Sequence, residues 1–256
     1  MRAGPLLILC AALAGCAAQP AGSGGEGPEA YRARVHTELA AQYFSRGNPA
    51  VALQGLNTAL QADPDYAPAY NMLGLVYGRL GEDASAERNF EKSLRLVSDY
   101  PEARNNYGHF LCQRGRYAEA LTQFDAALKN PLYATPENAL ANAGLCALLA
   151  GDRVAAEGYL RRALARSPVQ RLAIRAMAEW HLLANNPHGA RAGLARLQEA
   201  GPLDAAETWL ALRIERGLGN VDAGDRHADQ LKTRFPEARE TGWLMNGEFH
   251  RLGGLQ

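Results

Sequence analysis

This sequence predicts an all-α fold built from stacked helix pairs. Three observations carry the prediction. The apolar residues recur at helical spacing, with no sustained alternation of the kind a strand requires. The sequence resembles itself every 34 residues over much of its length. Prolines fall at the same interval: Pro168, Pro202 and Pro236 close successive units, as Pro64 closes the first. Proline tolerates a helix start but not a helix interior, so it marks the boundaries between units.

The chain of 256 residues begins with what reads as a targeting segment. Arg2 supplies a positive start, and Leu6–Leu13 form an apolar run that is too short to span a bilayer. Leu13-Ala14-Gly15-Cys16 follows, and small residues directly before a cysteine resemble the lipobox of bacterial lipoproteins. That resemblance implies a signal peptide over 1–15, cleavage before Cys16 and acylation of Cys16. Three acyl chains would hold a soluble domain on a membrane, where one alone binds marginally. Ala17, in place of Asp, points to the outer membrane, on its periplasmic face. Residues 16–30 are rich in Gly, Pro and Ser and read as a flexible tether, with a root-mean-square reach of roughly 20 Å.

Over 31–236 the pattern divides into six units, at about 33–66, 67–100, 101–136, 137–170, 171–204 and 205–236. Ala40, Gly74 and Gly108 are successive small residues 34 apart, and Ala52…Leu56, Ala86…Phe90 and Ala120…Phe124 repeat in step. The phase slips by two at Gly144, after the Pro131–Pro136 loop, and then resumes. This is the small-large signature of the tetratricopeptide repeat (TPR), in which a small residue on the first helix admits the second and large residues fill the space around it. The fold expected is therefore a TPR α-solenoid, a right-handed superhelix of six helix-turn-helix units. The sixth unit departs from the pattern, with Leu212 and Gly224 where Gly or Ala and Ala are expected. Residues 237–256, carrying Trp243, Leu244 and Phe249, are expected to form a capping helix over the open end.

Composition and motifs narrow the function. Lys plus Arg and Asp plus Glu both number 27, so charge gives no reason to expect nucleic acid as a partner. None of the usual metal, phosphate-loop or nucleophile motifs occurs, so we expect no enzyme, no catalytic residues, no metal and no cofactor. The expected chemistry is binding. First helices line the concave face of such a solenoid, and there Asn71, Leu75, Asn105, Asn106, His109 and Gln113 form a candidate partner-binding groove. In this register Asn71 and Asn105 face away from the core, with amides free to grip a peptide backbone. Cys112 and Cys146 lie late in the first helices of consecutive units. In an oxidising periplasm they would join as a disulfide closing about 35 residues, worth roughly 3–4 kcal/mol. The alternative is two buried free thiols acting as small hydrophobes.

The stretch from Asn105 to Ala120, Asn142-Ala143-Gly144-Leu145-Cys146, the lipobox and the six repeats together resemble the type IV pilus biogenesis lipoproteins of the PilF/PilW family. The resemblance covers nearly all of the chain beyond Cys16 and weakens after about 170. It implies a lipid-anchored pilotin-like adaptor on the inner leaflet of the outer membrane. Its partners would be the secretin, which is the ring-shaped channel of the pilus, and other pilus proteins. A general TPR lipoprotein that docks periplasmic cell-wall enzymes is the alternative within the same fold.

Overall fold

A computed structural model of the chain describes residues 27–253. Among these residues there are thirteen α-helices and no strand. They pair in chain order: α1 (Pro28–Ser45) with α2 (Pro49–Ala62), α3 (Ala67–Arg79) with α4 (Asp83–Leu96), and α5 (Pro101–Gln113) with α6 (Tyr117–Leu128). The series continues as α7 (Pro136–Leu149) with α8 (Arg153–Arg166), α9 (Arg171–Leu183) with α10 (Pro187–Glu199), and α11 (Ala205–Gly217) with α12 (Val221–Arg234); α13 (Arg239–Met245) follows. Proline occupies the first or second position of α1, α2, α3, α5, α7 and α10, where its missing N–H costs nothing. α1 starts at Pro28, three residues before the expected onset of the folded part at 31, because that proline presets its first turn.

Each pair is joined by a tight turn that requires a left-handed residue. Gly47, Gly81, Gly115, Gly151 and Gly219 occupy it with φ between 74° and 81°, and Asn185 replaces glycine in the fifth unit at φ 56°. These six positions follow the same 34-residue step, with the 36-residue slip between Gly115 and Gly151. The extra residues at that slip do more than lengthen the loop. Tyr133 turns inward and joins the core formed by Phe90, Phe110, Phe124 and Cys146.

The small-large rule is visible atom by atom. A Cβ on Gly74 would lie 2.7 Å from the Phe90 ring, one on Gly108 2.8 Å from Phe124, and one on Gly144 2.5 Å from Leu160. In the sixth unit the two sizes are exchanged. Leu212 stands at the small-residue position, and Ala228, sixteen residues on, takes the place of Phe90, Phe124 or Leu160. Both are buried in one cluster with Trp209 and Leu231, so the pair fills its space with the volumes reversed. The departure of this unit from the pattern is thus a compensated substitution. Gly224 adds room beside Leu212, whose Cδ1 would be 3.6 Å from a Cβ there.

The two ends differ. Tyr31, Val35 and Leu39 on α1 remain 53%, 38% and 43% exposed, although the repeat equivalents of Val35 (Ala69, Ala103) and of Leu39 (Leu73, Tyr107) are buried. Among the described residues no earlier helix pair packs against the first unit. At the other end Trp243 and Leu244 of α13 pack on the Trp209–Leu231 cluster. The expected long capping helix is corrected here. α13 ends at Met245, Gly247 takes φ 71°, and the chain turns, so Phe249 lies beyond the helix.

Candidate partner-binding site

α3 and α5 lie side by side and place four of the six expected groove residues around one cavity. Leu75, Asn106, His109 and Gln113 line a space of about 240 Å³, together with Phe44, Arg79, Phe90 and Phe110. The floor is apolar and aromatic, and the polar groups sit around it. Such a space suits an apolar side chain carried on a peptide whose polar backbone meets the rim. Gly78 makes the room: a Cβ there would stand 3.1 Å from the Phe110 ring. Phe44, Arg79 and Phe110 were missed from the sequence. Phe44 and Gly78 occupy equivalent repeat positions, and that large-to-glycine change marks where the wall opens.

The asparagines have a different role from the one expected. Asn71 is only 8% exposed, and its Oδ1 accepts a hydrogen bond from Asn106 Nδ2 at 3.2 Å. Asn142 Nδ2 donates to Asn105 Oδ1 at 3.0 Å. Asn71 and Asn105 therefore form an amide ladder joining α3 to α5 and α5 to α7, and Asn71 does not face away from the core. The reason is geometric: neighbouring first helices bring these positions within amide reach, and a buried amide takes a protein partner in place of water. Asn71→Ala would break the bond to Asn106 and leave a gap where the Asn71 side chain is buried between α3 and α5. We expect it to cost about 1–3 kcal/mol, in place of the small change an exposed position would show, and a denaturant titration checks this.

Electrostatics lock the same units together. Arg114 donates to Gly78 O at 2.9 Å and to Asp83 Oδ1 at 2.5 Å, and its guanidinium lies 4.6 Å from the Phe110 ring centre. Arg116 and the Tyr107 hydroxyl both donate to Glu87 Oε1, at 2.7 and 2.8 Å. Burial and then that carboxylate raise the pKa of Tyr107 above its usual range, so it remains a donor at all ordinary pH. Burial, reinforced by the charge of Arg114, lowers the pKa of His109 below the usual imidazole value. The cavity wall is therefore a neutral imidazole at pH 7, able to donate at one nitrogen and accept at the other.

Cys112 on α5 and Cys146 on α7 are both buried, with Cα atoms 5.9 Å apart and the sulfurs at 2.20 Å. That Cα separation is one a disulfide spans. Cys16 lies outside the described residues. Among the described residues no helix is long and apolar enough to cross a membrane, and no cluster of candidate metal ligands occurs.

Comparison with known proteins places this geometry. The family model for the tetratricopeptide repeat matches residues 37–101, 72–139 and 111–170. The structure of PilW, a widely conserved type IV pilus biogenesis factor, is 32% identical with a TM-score of 0.73, covering 83% of this chain and 98% of that one. The chain is a TPR protein of the PilF/PilW family. Within that family, the type IV pilus assembly protein PilF of Pseudomonas aeruginosa is 27% identical over 248 residues, 94% of this chain and 96% of its own length. A PilF structure superposes with a TM-score of 0.72 at 25% identity, over 86% of this chain and all of that one. An uncharacterized protein of Haemophilus influenzae is 34% identical over 115 residues, 45% of this chain and 64% of the relative.

Proposed function

We propose that this protein is a lipid-anchored adaptor of type IV pilus biogenesis, acting as a pilotin for the outer-membrane secretin without catalysing a reaction. The observation that carries the reading is likeness to PilF over 94% of the chain, combined with a cavity where the first three units meet. In this reading acyl chains on Cys16 supply membrane affinity on the periplasmic face of the outer membrane. The solenoid supplies a site for an apolar segment of the secretin or another pilus component. Tethering raises the effective concentration of the two without a new contact. A Cys112–Cys146 disulfide staples the third unit to the fourth.

The test is capture of the full-length lipoprotein from detergent-solubilised outer membrane, with the partners identified by mass. His109→Ala with Gln113→Ala should weaken secretin capture about tenfold, since each lost polar contact costs about 0.5–1.5 kcal/mol. Full-strength capture and normal secretin assembly by that variant would remove the cavity from the mechanism. Peptidoglycan hydrolases in place of pilus proteins would make the chain a cell-wall adaptor.

Two further outcomes are expected. Cys16→Ser should leave a precursor that fractionates away from the outer membrane, because the acyl chains hold it there. Normal outer-membrane placement would sink the lipid anchor. Protein purified from the periplasm without Cys16 should titrate no thiol under denaturing conditions until it is reduced, and both cysteines afterwards. Free thiols before reduction would refute the bridge.

A further inference from the structure

The concave face does not stay open along its length. The residue that follows the small position on each first helix faces it in turn: Leu75, His109, Leu145, Glu179 and Arg213. Leu75 and His109 are half-buried beside the cavity, whereas Leu145 and Glu179 are each 1% exposed. The segment that follows α13 runs back over this part. Phe249 stacks on Trp209 with ring centres 5.5 Å apart and 14° between planes, and the Arg216 guanidinium stands 4.2 Å from the Phe249 ring centre. Trp209 Nε1 donates to the Arg251 carbonyl at 2.9 Å. Leu252 packs against the core of the fourth and fifth units, which includes Leu145 and Leu148. Gly253 is buried so closely on α11 that a Cβ would lie 3.2 Å from both Ala206 Cβ and Ala206 O.

These contacts have the character of a bound peptide. An aromatic and an aliphatic side chain are anchored three residues apart, a main-chain carbonyl is read by an indole, and a glycine allows the backbone to approach. Phe249, Arg251 and Gly253 are received by α11, a first helix of the same kind as α3 and α5, which form the groove farther up the solenoid. We propose that Phe249–Gly253 is an internal ligand in a second peptide site. The site takes a segment of a partner protein that turns at its aromatic residue and carries the pattern aromatic-x-x-aliphatic-Gly, and that partner displaces the internal one. The internal copy competes at the millimolar effective concentration of a short tether, so it screens the site from weak binders.

The probe is a fluorescent peptide of residues 247–253 of this sequence, titrated into the full chain and into its Phe249→Ala/Leu252→Ala variant. The variant should bind the peptide at least about tenfold more tightly than the unaltered chain, since its own segment no longer competes. A peptide carrying the same two alanines should not bind. Equal affinity of the two chains, or no binding to a variant with unchanged helical circular dichroism, overturns the proposal. If the variant does not fold, hydrogen exchange on the unaltered chain decides. Excess peptide should speed exchange at 249–253 saturably, and no change at saturating peptide overturns it. A concentration-dependent dimer of the unaltered chain that Phe249→Ala abolishes would give the site to a second copy and overturn the assignment to a partner.

Discussion

Arg213→Met is expected to destabilise the folded chain by about 3–5 kcal/mol, a large share of what a domain of ordinary stability possesses. Arg213 Nη1 lies 2.6 Å from Glu179 Oε2, with the two side chains only 9% and 1% exposed. Glu179 Oε1 is buried without a hydrogen-bond partner, so this arginine is the principal compensation for the charge. Removing it strands a carboxylate between α9 and α11. Replacing both residues, Glu179→Leu with Arg213→Met, should recover most of the loss, because a well-packed apolar pair avoids the desolvation cost altogether. Denaturant midpoints of the three chains measure the difference. Hydrogen exchange should place the loss in the fifth and sixth units, since solenoid stability is a sum of local terms. A single-variant loss below about 1 kcal/mol would mean that water reaches the pair.

Gly108→Leu should cost at least about 1–3 kcal/mol by overpacking. Even its Cβ would meet Phe124 at 2.8 Å and the Ala120 carbonyl oxygen at 3.1 Å, and a backbone atom cannot swing aside. The sixth unit shows the remedy. Combining Gly108→Leu with Phe124→Ala reproduces the Leu212/Ala228 arrangement and should restore much of the stability. An unchanged melting temperature for Gly108→Leu, or no rescue by the double variant, would contradict the size-exchange account of the repeat.

What was legible in the sequence was what repeats. The small positions Ala40, Gly74 and Gly108 lie on one period, the slip before Gly144 shifts it by two, and both cysteines fall late in first helices of consecutive units, so their neighbourhood follows from stacking. The left-handed turn at Gly47, Gly81, Gly115, Gly151, Asn185 and Gly219 lies on that period as well, and it offers a second, independent reading of the register. The partners inside each neighbourhood were harder to read. Exposure of Asn71 depends on whether an amide from the next helix reaches it, and Asn106 sits one residue off the equivalent position. Glu179 and Arg213 are equivalent residues of opposite charge in adjacent units, a signal the pattern contained but apolar periodicity does not search for. The return of Phe249 and Leu252 across the concave face has no local or periodic trace. Trp209 and Arg251 are 42 residues apart and meet only because α13 is short.

The difference between the two ends has a consequence for assembly. A rod whose ends match can add copies indefinitely, head to tail. Here α13 closes one end, while Tyr31, Val35 and Leu39 leave an apolar strip at the other. A contact of strip against strip would be isologous, and such a contact is used up once two molecules have met. Among the described residues, a molecule paired in that way would offer no second such strip to the next copy along its axis.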